Sequence, residues 1–182
     1  MKRYLLALPF LALGAPALAN TGVINFTGTI KAGTCPIEIS DPAGGTNGEV
    51  MMGQALAGNF TAAGIESNRR SFTIKVSDAS QCAGWDGSGG TNVAKVRFTG
   101  MQGGEDNGTL FALKGGSGAA TGLALGLRDK DKAQVGHGAL SGEYPLAASS
   151  NDLTFEAFYK STTATVTAGP ANADVQLELV IN

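Results

Sequence analysis

Apolar and polar residues alternate one for one in run after run of this chain. Val175-Gln176-Leu177-Glu178-Leu179-Val180-Ile181 puts Val175, Leu177, Leu179 and Ile181 on one face, with Ala173 continuing that face upstream. Ser71 to Val76 does the same with Phe72, Ile74 and Val76. Val93 to Phe98 sets Ala94, Val96 and Phe98 against Lys95 and Arg97. Thr109 to Lys114, Gly122 to Leu127 and Leu153 to Tyr159 are further short runs. A period of two is that of a strand with one face on a core and one in water. No stretch carries a sustained apolar period of 3.6; Ala55 to Ile65 has room for one helical turn, broken by Gly58 and Gly64. Glycine, Asn, Ser and Asp cluster between the runs, at Gly44 to Gly48, Gly84 to Asn92, Gly103 to Gly108 and Gly115 to Gly118. These are turn residues. Short strands divided by turns predict an all-β sandwich.

The first residues stand apart from this pattern. Lys2 and Arg3 precede an apolar run from Tyr4 to Leu13, and Ala17-Leu18-Ala19 has a small-x-small form. Residues 1–19 therefore read as a secretory signal, with the mature chain starting at Asn20. The run is shorter than the roughly 20 apolar residues that cross a bilayer. Export to an oxidising compartment predicts a disulfide between Cys35 and Cys82, the two cysteines of the chain. Their spacing is not the C-x-x-C of redox pairs. Two sulfurs and one histidine do not make a closed zinc site.

Little in the sequence offers catalytic chemistry. The chain is 15% charged with a net charge of -2, which excludes the basic footprint of a nucleic-acid binder. His137, the one histidine, sits between Gly136 and Gly138 and reads as an exposed loop residue. There is no G-x-S-x-G elbow to place a nucleophile. Asp129-Lys130-Asp131-Lys132 lacks the glycine and distal glutamate of a calcium loop and reads as a polar turn. Gly115-Gly116-Ser117-Gly118 lacks the Lys-Ser/Thr of a phosphate loop. Arg69-Arg70 reads as a solvated pair at the start of a strand, and Trp85 as a residue near the cysteine pair or a sugar platform. The expectation is no enzyme, no cofactor and no metal.

The two ends of the mature chain carry the strongest signal. The terminal run reaches within one residue of the C-terminus. At the other end, residues 20–33 alternate ahead of the body, with Gly22, Ile24, Phe26, Gly28 and Ile30 in step and no charge before Lys31. An uncharged alternating segment is an aggregation hazard unless it pairs with a sheet. It either completes its own domain or adds a strand to a neighbour's.

These residues resemble the pilin subunits of the chaperone–usher, type 1 fimbrial class. Phe26-x-Gly28-x-Ile30 stands five residues before Cys35, as in the donor extension of such subunits. Cys82 follows Phe72-x-Ile74-x-Val76, and Leu153-Thr154-Phe155-x-Ala157-x-Tyr159 matches the strand before the last. Gly169-Pro170-Ala171-Asn172-Ala173 leads into the terminal alternation, with Gly169 fourteenth from the C-terminus. The family usually has an aromatic at the penultimate position, where this chain has Ile181.

The resemblance implies an immunoglobulin-like β-sandwich that lacks its last strand and is completed by a donor strand from a neighbouring subunit. It divides the chain into a signal peptide (1–19), a donor extension (20–33, with Gly22, Ile24, Phe26, Gly28 and Ile30) and a pilin domain (34–182). Ala173, Val175, Leu177, Leu179 and Ile181 would line the acceptor groove, which also binds the chaperone. The implied partners are other pilin subunits, a periplasmic chaperone and an outer-membrane usher. The implied location is an extracellular fimbrium supporting cell adhesion. One-domain length argues against a two-domain tip adhesin. The competing expectation is a self-contained secreted β-sandwich that binds a glycan or a protein, with residues 20–33 inside its own sheet.

Overall fold

The computed structural model describes residues 35–44, 48–87 and 91–182. The donor positions Gly22, Ile24, Phe26, Gly28 and Ile30 lie outside them. The described residues form nine strands: β1 (Ile37–Ser40), β2 (Arg70–Val76), β3 (Asn92–Gly100), β4 (Gly104–Glu105), β5 (Leu110–Phe111), β6 (Leu123–Arg128), β7 (Tyr144–Leu146), β8 (Asn151–Ser161) and β9 (Val175–Ile181). Two 3-10 turns, Ala57–Asn59 and Ala79–Gln81, are the helical elements among them. The strands build a six-stranded sheet, β1-β2-β8-β6-β5-β4, and a three-stranded sheet, β7-β3-β9. Each pairing is antiparallel.

The alternation of the sequence becomes the inside and outside of this sandwich. Phe72, Ile74 and Val76 of β2 and Leu153, Phe155 and Ala157 of β8 are buried from the larger sheet. Ala94, Val96 and Phe98 of β3 are buried from the smaller one. Aromatic rings join the layers. Phe72 stacks on Phe155 with centroids 5.6 Å apart, and Phe98 meets Phe155 edge-on at 5.1 Å. Tyr144 of β7 lies 5.2 Å from Phe155. Such pairs contribute roughly 0.5–1.5 kcal/mol beyond their burial.

Phe158 breaks the simple rule. It points to the outer face of β8 by parity, yet its exposure is 0%. Its ring lies over Gly126 of the neighbouring β6, where a Cβ would come within 2.4 Å of the ring. The Arg128 guanidinium covers it from 4.7 Å. Gly126 is thus glycine because an outer-face aromatic occupies the place of a side chain.

Cys35, two residues before β1, is bonded to Cys82 in the turn after β2, closing a sequence separation of 47. The bond fixes the start of the described residues to the turn after β2, which itself abuts the end of β9. Gly84, just beyond Cys82, has φ +90 and would place a Cβ 2.4 Å from the Ile181 carbonyl oxygen.

Several boundaries differ from the sequence expectation. The run Thr109–Lys114 is a strand over Leu110–Phe111 alone; the Ala112 amide still donates to Gly103 beside β4, and the chain then turns toward the segment before β9, where the Lys114 amide donates to Asn172. β8 extends beyond Leu153–Tyr159 at both ends. β4 and β7 are too short to show alternation, and β1 alternates, Ile37 and Ile39 against Glu38 and Ser40, over only four residues. Pro145 within β7 fits its place at a sheet edge. The helical turn expected between Ala55 and Ile65 is the 3-10 turn at Ala57–Asn59.

Candidate functional site: an open sheet edge above an apolar groove

Among the described residues, β9 is the last strand of its sheet and pairs with β3 alone. Asn182 and Val93 exchange both backbone hydrogen bonds at 3.0 Å. In an antiparallel ladder the hydrogen-bonded pairs then recur at every second residue. Val180, Glu178 and Gln176 therefore bond to β3. The backbone N–H and C=O groups of Ile181, Leu179, Leu177 and Val175 turn to the open edge. Those four residues also send their side chains inward, where they pack on the core. One set of residues thus supplies both an unpaired main-chain edge and an apolar lining. Ala173, just upstream of β9, is half-buried on the same core.

Beneath the edge lies a groove of about 520 Å³. Its floor is Phe72, Phe98, Leu125, Leu127 and Ala157. One wall is Ala173, Val175 and Leu177; the other is Ile39, Val50 and Met52. The groove runs on into a second cavity of about 590 Å³, which shares Glu49, Val50, Met52 and Asn172 and is bounded by Phe60, Leu123, Tyr159 and Val166. The Tyr159 hydroxyl donates to the Ala171 carbonyl, and burial pushes its pKa above the ordinary value. The phenol stays a neutral donor that fixes the approach to β9. At the mouth Lys114 is paired with Asp174 at 2.6 Å, both half-exposed. Among the described residues, no strand pairs with the edge of β9 opposite β3, and Gly84 lies against its far end at the Ile181 carbonyl.

An exposed, regular edge of this length is normally blunted by a proline, a bulge or a charge pointing inward. β9 has none of these. Its one charged residue, Glu178, points outward to Arg97 at 2.7 Å. The geometry is that of a sheet ready to take one more strand, with pockets for alternate side chains.

The family model described as "Fimbrial protein" matches residues 24–182. The chain belongs to the fimbrial protein family. Among its relatives, the long polar fimbria protein A of Salmonella typhimurium (strain LT2) is 33% identical over 98% of this chain and 96% of its own length. The probable major fimbrial subunit LpfA of Escherichia coli O157:H7 is 31% identical with the same coverage. Among solved structures, a chaperone–usher pilus superposes with a TM-score of 0.60 at 25% identity, over 92% of this chain and 100% of that one. The Burkholderia pseudomallei antigen and type I fimbria protein gives 0.56 at 27% identity, over 82% and 99%. The sandwich is thus the immunoglobulin-like fold of pilin subunits, as the sequence implied.

The fimbrial fold explains residues that sequence alone misread. His137 is not an exposed loop side chain. It is half-buried, its Nδ1 accepts from the Gly100 amide at 3.0 Å, and its ring meets Phe111 edge-on with centroids 6.2 Å apart. It closes the end of β3 and belongs to the scaffold. Asp129 does sit in a polar turn, but it is buried and accepts from the amides of Asp131, Ala133 and Gly142. Trp85 is half-buried against the core, so its ring is no open platform for a sugar. Arg70 is exposed at the start of β2, while Arg69 pairs with Glu66 at 3.3 Å. Among the described residues no three His, Cys, Asp or Glu side chains gather at metal-binding distance.

The sequence reading missed the second wall of the groove. Val50 and Met52 are two apart and apolar, the spacing of one strand face. That signal is only three residues long, between Glu49 and Gly53.

Proposed function

We infer that the chain is a structural subunit of an extracellular fimbria, and that it polymerises by donating residues 20–33 to the groove beside β9 of the next subunit. The observation that carries this reading is the coincidence, at Val175 and Leu177, of a main-chain edge open among the described residues with the apolar lining of the groove. In the same chain Gly22, Ile24, Phe26, Gly28 and Ile30 form an uncharged alternating segment. Each of Ile24, Phe26 and Ile30 would contribute roughly 1.5–3 kcal/mol on full burial. Each ladder bond to β9 would add about 0.5–1.5 kcal/mol.

In this scheme a periplasmic chaperone occupies the groove first, and an outer-membrane usher exchanges it for the segment of the incoming subunit. The finished polymer stands on the cell surface and supports adhesion. The division is a signal at 1–19, a donor extension at 20–33 and a pilin domain at 34–182. The role is structural rather than enzymatic, in keeping with a family of fimbrial proteins. Donation in trans is favoured over a self-contained sandwich because the chain belongs to a family of fimbrial proteins.

Gly28 tests the reading. A glycine in a donor strand suits a place where the groove is shallow. Gly28→Leu is expected to lower fibre yield on the cell surface at least tenfold, measured by electron microscopy and subunit ladders, while the chaperone-bound subunit stays soluble. Wild-type fibre yield from that variant would overturn the assignment of residues 20–33.

A further inference from the structure

Residues 48–57 form a strap along the groove on the side opposite β9. Val50 and Met52 pack on the core from it. Met52 lines both groove cavities and also a third space of about 310 Å³ on the far side, bounded by Asn59, Glu66, Arg70 and Tyr159. The strap therefore has empty space on both faces. It is not held by a ladder: among the described residues, no backbone group from 48 to 55 bonds to another backbone group.

Two side chains hold it instead, at adjacent residues. The Asp41 carboxylate, just past the end of β1, accepts from the Met51 amide through Oδ2 at 2.7 Å and from the Ala43 amide through Oδ1 at 2.8 Å. Asp41 is only 8% exposed. Arg70, the first residue of β2, donates from Nε to the Met52 carbonyl at 3.3 Å. Its guanidinium also fills the space beside Gly53, where a Cβ would lie 2.7 Å from Nη2 and φ is +72. A charged partner makes each hook stronger than a neutral hydrogen bond.

We propose that Asp41 and Arg70 are positioning residues that latch the strap at Met51 and Met52, and so set how long the groove retains a donor segment. This rests on the donor-strand reading above. A strand laid beside β9 packs its inward side chains against Val50 and Met52 as well as against the floor. That contact is made at full value only if the strap is fixed beforehand. A strap freed from its hooks has room to move into the space behind it. It then pays the ordering cost on each binding event, and bound donor is released faster.

The test uses the full mature chain as a dilute monomer and a fluorescent peptide of residues 20–33, with release followed after an excess of unlabelled peptide. Asp41→Ala and Arg70→Ala are each expected to shorten retention at least tenfold. Asp41→Asn should give an intermediate value, because one carbonyl oxygen replaces two acceptors. Arg70→Lys should recover part of the loss through its remaining donor. Asp78→Ala serves as a control: it removes a carboxylate cap on the Ser80 amide in another turn, and should leave retention unchanged. Arg70 is exposed, so its variants report even where a change at Asp41 impairs folding. Wild-type retention in Arg70→Ala and in folded Asp41→Ala overturns the latch, even where their unfolding midpoints fall. A wild-type chain that takes up no peptide overturns the donor-strand reading itself.

Discussion

A chain carrying Leu177→Asp is expected to fold and to fail to polymerise. Leu177 is half-buried on the inner face of β9 and lines the groove. In the free subunit the groove is open, so a carboxylate there keeps water. Once a donor strand covers it, the carboxylate is sealed among Phe72, Phe98 and Leu127. An unpaired charge buried in this way costs several kcal/mol, and each 1.4 kcal/mol is a tenfold loss in affinity. A loss of at least 1,000-fold in donor affinity is therefore expected, on the order of 4 kcal/mol. Fibre yield should fall to background while the circular dichroism of the monomer keeps its β signature. Glu178→Ala, on the outward face of the same strand, removes an exposed ion pair with Arg97 that is worth about 0–1 kcal/mol. It should polymerise normally. Equal yields from the two variants would show that the inner face of β9 is not the receiving surface.

The second large effect is expected from Cys35→Ser with Cys82→Ser. The bond closes a sequence separation of 47, for which the chain-entropy model gives roughly 4 kcal/mol. It also ties Cys35, at the start of the described residues, to the turn whose Gly84 lies against the Ile181 carbonyl. A sandwich with one sheet edge still open has little stability to spare. The unfolding free energy from urea titration should drop by about that amount, and the level of subunit in the periplasm should fall with it. A drop under about 1 kcal/mol would mean that the unfolded chain keeps the two cysteines close without the bond.

The parts of this fold that were legible in the sequence are those where a long strand buries one face. β9 was read at its observed bounds, and Phe72, Ile74, Val76, Ala94, Val96 and Phe98 were assigned to the core they occupy. Alternation over six or seven residues leaves little choice of register, since a slip of one turns the whole set outward. The edges were not legible. β1, with four residues, and β4, with two, hold their places through neighbours far away in sequence. The same applies to His137. Its glycine neighbours suggest a free loop, while its role comes from Gly100 and Phe111, brought to it by β3 and β5. At the groove, the β9 wall was visible as an apolar face. The strap was not, because side chains hold it rather than a ladder, and Asp41 and Arg70 carry no periodic signal.

The central claim is that the groove beside β9 takes residues 20–33 of another subunit. It is tested most directly by the thermal unfolding of the dilute, oxidised monomer with and without an excess of the peptide Asn20–Gly33. Burial of three apolar side chains and a new ladder should raise the midpoint by tens of degrees, since about 1 kcal/mol moves the midpoint of a domain this size by several degrees. A midpoint that is already high and does not respond to the peptide would mean that the chain closes its own sheet, and would contradict the account.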